Sequence, residues 1–174
     1  MITFQKKDLE PAVKIGDYAL SLFLPLKNIF YNFDIPKDIN IEIFNLDFKS
    51  PLIGSSFKSD ENIISIWLEM GIGGAVLKTI MKDQRAGNKA PRLQETNING
   101  INGLVNSLGL PGDGIKQYSK KLDNSKIWDY EVPVGISIGG IDVNEYVHNI
   151  DFLETTFLSK RKNYFYELNI SCPN

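Results

Sequence analysis

The chain has 174 residues, 43% of them hydrophobic and 23% charged, with a formal net charge of -2. These are the proportions of an ordinary globular protein with enough apolar material for one core, and they exclude a disordered or fibrous chain. One cysteine rules out an internal disulfide, a single histidine, His148, rules out the usual zinc cages within the chain, and the absence of a basic stripe argues against nucleic acid.

The first forty residues read as a separate lead-in. Their aromatic and leucine-rich run DYALSLFLPLKNIFYNF is followed by the break DIPKDIN, and one or two short amphipathic helices are expected. Two roles stay open: packing under the core, or an interfacial element that touches a membrane or a partner. The longest apolar stretch, Tyr18 to Phe30, is interrupted by Pro25 and Lys27 and is too short to span a bilayer. MITFQKKDLEP lacks a charged-then-apolar signal, so a cytoplasmic location is expected, with peripheral membrane association through residues 1–40 as the alternative.

Ile41 to Phe48 alternates in polarity around Asn45, which predicts a small hairpin leading into Pro51. Beyond it, short apolar strands alternate with helical segments, the signature of βα units and a parallel sheet. The expected strands are Pro51 to Ser55, Gly74 to Ile80, Pro133 to Ile138 and Phe165 to Ile170. Between the first two, Ser59 is placed to cap a helix carrying Ile63, Ile66, Trp67 and Met70 at helical spacing, ended by Gly71. Between the last two, Asp142 and Glu145 form a capping-box pattern ahead of Val143, Tyr146, Val147 and Ile150, which should pack on the sheet. His148 falls off that stripe and is assigned to a solvated face.

Lys82 to Leu110 is long, rich in glycine and asparagine, and without a persuasive period. A connection of that length in a compact domain is usually functional. The pieces GIGG, GISIGG and GLPGDG do not give GxGxxG between a strand and a helix, and they read as tight turns and close packing.

If the four strands are parallel neighbours, their carboxyl ends bring Ser55, Ser56, Lys78, Thr79, Ser137, Asn169 and Cys172 to one face, where such folds bind ligands. Hydroxyls and amides there suit a flat polar heterocycle. Lys78, after the apolar run Ala75-Val76-Leu77, would be partly desolvated and favour an anionic ligand, or else snorkel to the surface. Cys172 is a candidate acid, base or nucleophile, although a lone cysteine is most often a small buried hydrophobe.

The stretches FKSPLIGSS, LKT, GNKAPRL, NSLGLPGDG and ELNISCPN, in this order and over roughly Phe44 to Asn174, resemble the successive signatures of dihydroorotate dehydrogenases. The resemblance implies an α/β chain of the (β/α)8 TIM-barrel family, a bound FMN, and oxidation of dihydroorotate to orotate in pyrimidine synthesis. It places Cys172 as the general base. It places Lys78, Asn106, Leu108, Gly109, Leu110, Asn169 and Asn174 against the substrate, and Ser55, Ser56, Lys78, Thr79, Ser137 and Asn169 against the flavin. Phe57 stands where the family usually has glycine, and Ser137 where asparagine is common.

Cysteine at position 172 is similar to the soluble class of the family, whereas the lead-in looks more like the helical extension of membrane-associated, quinone-using relatives. The acceptor stays open among fumarate, quinone and NAD through a partner subunit. A complete barrel takes about 250 residues, with its phosphate site after strands seven and eight. The expectation is therefore only about the first four βα units, with residues 41–174 as an amino-terminal half behind a lead-in at 1–40. A homo-oligomer or a complementary carboxyl-terminal half would complete it. The alternatives are an FMN barrel acting on another dihydropyrimidine, and a non-catalytic interaction module.

Overall fold

The computed structural model describes residues 8–31, 33–156, 161 and 163–171. The lead-in is helical, with α1 at Glu10–Leu22 and Pro11 in its first turn, a 3-10 turn at Leu24–Leu26 and α2 at Lys27–Phe30. Proline suits a helix start because its missing N–H would have had no intrahelical partner there. Packing beneath the core is not what α1 does: none of its residues is buried, and Ile15 is 69% exposed. Ionic and backbone contacts hold the lead-in to the rest. They are the pairs Glu10–Arg92, Asp17–Lys58 and Lys27–Glu69, and a hydrogen bond from the Leu9 N–H to the Leu93 carbonyl.

The first hairpin forms as the alternation predicts, from β1 (Ile41–Ile43) and β2 (Leu46–Phe48). Phe44 and Asn45 both have positive φ, 52° and 61°, the geometry of a tight turn whose twist matches the paired strands. Phe48 is buried, and it lies where a side chain on Gly74 would meet it.

The central sheet holds β3 (Ile53–Gly54), β4 (Gly74–Ile80), β7 (Val134–Ile138) and β8 (Tyr164–Leu168), all parallel and in the order β3-β4-β7-β8. The four expected strands are present, with β3 shorter than anticipated. Spatial order follows chain order, without the reversal that marks a doubly wound sheet. Helices α3 (Glu61–Glu69), α4 (Ile115–Asp123) and α5 (Val143–Thr156) occupy the connections. Ile64, Leu77, Ile115, Ile136, Ile138 and Leu153 join one buried cluster between helices and sheet. Truncating any of these isoleucines to alanine should cost roughly 2–5 kcal/mol.

Several details differ from the sequence reading. Asp60, not Ser59, caps α3, its carboxylate accepting the Asn62 and Ile63 N–H groups. Ser59 Oγ instead accepts the Lys78 N–H at 3.1 Å. Gly71 does end α3, at φ 93°. On α5 the Asp142–Glu145 capping pair forms, but Val143 is 76% exposed, and the fully buried positions are Asn149 and Leu153. His148 is exposed, as expected.

The largest difference lies between Lys82 and Leu110. That stretch contains a regular hairpin, β5 (Leu93–Ile98) with β6 (Ile101–Asn106), closed by Asn99-Gly100 with both residues at positive φ. The Asn-Gly dipeptide was its signal, masked because the flanking strands are polar and largely exposed and so carry no alternation.

Candidate active site

The register of β4 against β7 shifts between Leu77, which faces Ile136, and Ile80, which faces Ile138, leaving Lys78 and Thr79 opposite Ser137 alone. An extra residue of this kind bends a strand and redirects its side chains. Here it lets the Thr79 hydroxyl reach across β7. Thr79 Oγ1 lies 2.9 Å from Ser137 Oγ and accepts the Asn169 amide N–H at 2.8 Å.

Asn169 is also fixed through its backbone. Its N–H donates to the Ile138 carbonyl at 2.9 Å, and its carbonyl accepts the Tyr146 hydroxyl of α5 at 2.6 Å. Close packing is required at this crossing, since a Cβ on Gly139 would come 2.9 Å from Thr79 Cγ2 and 2.6 Å from Met81 Sδ.

Lys78 is half-buried, and its ammonium donates to the Pro111 carbonyl at 3.1 Å. Burial is the main cause that draws its pKa below the usual lysine value; Arg92 and Lys58 add to the effect and Glu10 opposes it. Pro111 follows the expected substrate loop, which is tightly fastened. Ser107 N–H donates to the Arg92 carbonyl, Asn88 N–H to the Leu108 carbonyl, and the Asn88 side-chain amide to the Ser107 carbonyl. Gly109 at φ 74° and Leu110 at φ 49° make the turn, and a Cβ on Gly109 would meet the Asn88 backbone nitrogen at 2.7 Å. Arg85 and Gly112 close its base through two backbone hydrogen bonds of 2.9 Å.

A cleft of about 500 Å³ opens between α3, α4 and β4, bordered by Ser59, Lys78, Thr79, Leu110, Pro111 and Tyr118. Its size suits a small-molecule site. Burial pushes the Tyr118 phenol up to about 12, so it stays a neutral donor. Ser137 and Asn169 are not among the cleft's walls, and Lys78 and Thr79 link it to the Thr79–Ser137–Asn169 cluster.

The expected residues therefore divide. Lys78, Thr79, Ser137 and Asn169 come together. Leu108, Gly109 and Leu110 stand on the loop that leads to the Lys78 contact, while Asn106 is exposed at the last rung of β6, paired with Leu93. Ser55 and Ser56 follow β3, the first exposed and the second half-buried. Ser137, expected as a flavin contact, has 0% exposure with its hydroxyl beside Thr79, which is a bracing position. Cys172 and Asn174 lie outside the described residues.

Sequence reasoning assigned no role to Asn88 and Arg92, although both stand in the quoted GNKAPRL. It also missed Asn149, whose amide donates to the Gly139 carbonyl at 3.0 Å while its Oδ1 is buried without a hydrogen-bond partner. No group of three or more metal-ligating side chains occurs among the described residues, and no described helix is long and apolar enough to cross a membrane.

A sequentially ordered parallel sheet with helices in its connections, and with polar groups gathered at the carboxyl ends of its strands, is an α/β arrangement that fits the TIM-barrel-like families. The sequence profile described as dihydroorotate dehydrogenase matches residues 38–174, and the chain belongs to that family. It is 30% identical over 139 residues to the catalytic subunit of dihydroorotate dehydrogenase B (NAD(+)) of Endomicrobium trichonymphae, covering 79% of this chain and 42% of that protein. To the subunit of the same name in Fusobacterium nucleatum subsp. nucleatum it is 31% identical over 140 residues, with 78% and 42% covered. To the putative dihydroorotate dehydrogenase A (fumarate) of Aquifex aeolicus it is 31% identical over 139 residues, with 79% and 42% covered. The chain thus spans about two fifths of the length of these relatives.

Proposed function

We propose that residues 41–174 form the first four units of an FMN-binding (β/α)8 barrel that oxidises dihydroorotate to orotate, with the remaining wall supplied by polypeptide beyond these residues, on the same chain or a second one. Residues 1–40 stand in front of it as the lead-in, and the setting is the cytoplasm. The observation that carries this reading is the Thr79–Ser137–Asn169 cluster beside a partly desolvated Lys78, at the strand ends of a chain in this family.

The residues present fit the polar edge of a flavin. The Asn169 amide and Thr79 hydroxyl are held in fixed geometry. The Lys78 ammonium has three donors, one of which goes to Pro111, and its desolvation favours a nearby anion. FMN, when bound, supplies acceptance of a hydride. The phosphate grip belongs to loops after later strands of a barrel.

The chain's own groups then do the following. Lys78 holds negative charge on cofactor or substrate. Asn106 hydrogen-bonds the substrate, Asn169 and Asn174 hold its ureide and carboxylate edges, and the loop through Leu110 covers it. Cys172, three residues beyond the pinned Asn169, removes the ring-carbon proton. A thiol of ordinary pKa about 8.5 needs a closed, polar site to serve as base near neutrality.

Anaerobic mixing of the flavin-loaded protein with dihydroorotate tests this reading. Bleaching of the flavin band is expected with dihydroorotate and not with dihydrouracil, which lacks the carboxylate. Cys172→Ala should slow bleaching at least ~100-fold, the scale of general base catalysis, with flavin retained. Unchanged bleaching in that variant would remove Cys172 from the chemistry, and equal bleaching by both ligands would reassign the substrate.

A further inference from the structure

The lead-in lies outside the part of the chain that the family profile covers, apart from its last three residues, yet one of its side chains joins the loop network of the site. Arg92 directs its guanidinium two ways. Nε and Nη2 donate to the two Glu10 carboxylate oxygens at 2.6 and 3.1 Å, while Nη1 donates to the carbonyls of Ala86 and Asn88 at 2.9 and 3.1 Å. Glu10 is the first residue of α1. The next links run from Asn88 to Leu108 and Ser107, and from the Arg92 backbone to Ser107. Beyond Leu110, Pro111 receives Lys78.

Both partners are largely sheltered, with side-chain exposures of 17% for Arg92 and 22% for Glu10. A planar fork on a carboxylate fixes orientation as well as energy. There is no slack behind it, because a Cβ on Gly87 would come 2.4 Å from both Arg92 Nη1 and the Leu108 carbonyl.

We propose that Glu10 and Arg92 are a positioning pair that couples helix α1 to the substrate loop, holding Asn88 against Ser107 and Leu108 so that residues 106–110 keep their place ahead of Pro111, which receives Lys78. This rests on the reading of 106–110 as the substrate loop. The pair touches no substrate; it acts through Asn88. Glu10 and Arg92 also belong to the charges that set the Lys78 titration, in opposite directions, so geometry and electrostatics join the same three residues.

Amide hydrogen exchange on the full chain, read without ligand, is the test. Glu10→Gln should leave the fold intact, because α1 contributes no buried residue. It should speed exchange of the Asn88, Ser107 and Gly112 amides roughly tenfold, the effect of losing a charge-assisted hydrogen bond, with Leu77 and Ile136 unchanged. Arg92→Lys keeps the charge but loses the fork and the two carbonyl contacts, and it should loosen the same amides at least as much.

A role confined to anchoring the helix gives another pattern. The Val13 amide, which donates to the Leu9 carbonyl, would exchange faster while Asn88, Ser107 and Gly112 did not, and that result would overturn the proposal. In the flavin-loaded protein, Glu10→Gln should raise the KM for dihydroorotate roughly tenfold with kcat nearly unchanged, the size of one lost charge-assisted contact. An absence of bleaching in the unmodified protein once it is flavin-loaded would sink the dihydroorotate reading and leave the exchange result standing.

Discussion

Thr79 and Asn169 are hydrogen-bonded at 2.8 Å although the strands that carry or precede them, β4 and β8, are separated by β7. The contact depends on the register shift at Lys78-Thr79, on the small Ser137 between them, and on the bare Gly139 next to it. It ties the start of the segment that leads to Cys172 to the strand that carries Lys78.

Thr79→Val keeps the volume of the side chain but removes the hydroxyl, breaking the Asn169 contact and leaving the buried Ser137 hydroxyl short of a partner. A loss of about 1–3 kcal/mol in urea unfolding is expected. Thr79→Ser keeps the hydroxyl and should recover most of it. A larger loss in Thr79→Ser than in Thr79→Val would show that the methyl contact, not the hydrogen bond, matters.

Lys78 presents a different balance. Burial depresses its pKa, so the unfolded chain binds the proton more readily, and stability from this group rises as pH climbs from the folded pKa toward the unfolded value near 10.5. Replacing it with an apolar side chain removes that penalty. Lys78→Met should melt no lower than the parent at pH 7, and the parent should gain on it as pH approaches 10, while flavin bleaching by dihydroorotate is lost. A much lower melting temperature would mean that the Pro111 contact outweighs the cost of burial.

Gly109 stands at φ 74°, with Asn88 where a side chain would go. Gly109→Ala therefore combines left-handed backbone with a clash against main chain, and a cost of about 1–3 kcal/mol is expected. The damage should be local, seen as faster proteolysis within residues 85–112. Gly100→Ala at the hairpin tip, also at positive φ but with open space around it, should cost less.

Tyr164 and Tyr166 both donate to the Glu154 carboxylate of α5. Burial first, and Glu154 second, push the Tyr164 phenol up to about 12 from 10.0 and raise Tyr166 further still. A raised folded pKa means that these contacts contribute fully below pH 10 and are lost as pH rises toward 12. Melting temperature should therefore fall over pH 10–12, and Tyr164→Phe should flatten that fall. An unchanged slope would place the alkaline sensitivity elsewhere.

The sequence displayed the parts of this architecture that depend on local pattern. Alternation marked β1 and β2, apolar runs marked β4 and β7, and the Asp142–Glu145 spacing marked the start of α5. Ser59 and Asp60 were both chemically able to cap α3, and only the backbone geometry separates them. The β5–β6 hairpin escaped because its strands hold no buried residue and show no period.

At the site, strand ends were enough to group Lys78, Thr79, Ser137 and Asn169. The bulge that lets Thr79 pass β7 has no sequence signature, so the bracing place of Ser137 was not visible. The Glu10–Arg92 and Tyr146–Asn169 contacts span 82 and 23 residues, and no local spacing encodes them.

The most direct test of the central claim is the visible absorption spectrum of the purified, desalted chain, taken alone and after co-expression with the carboxyl-terminal half of a relative such as the Fusobacterium nucleatum catalytic subunit. A flavin band is expected only in the co-expressed sample, bleached by dihydroorotate. A folded, co-purifying pair without flavin would contradict the FMN site at these strand ends, and a soluble, active monomer of the 174 residues alone would contradict the need for further barrel wall.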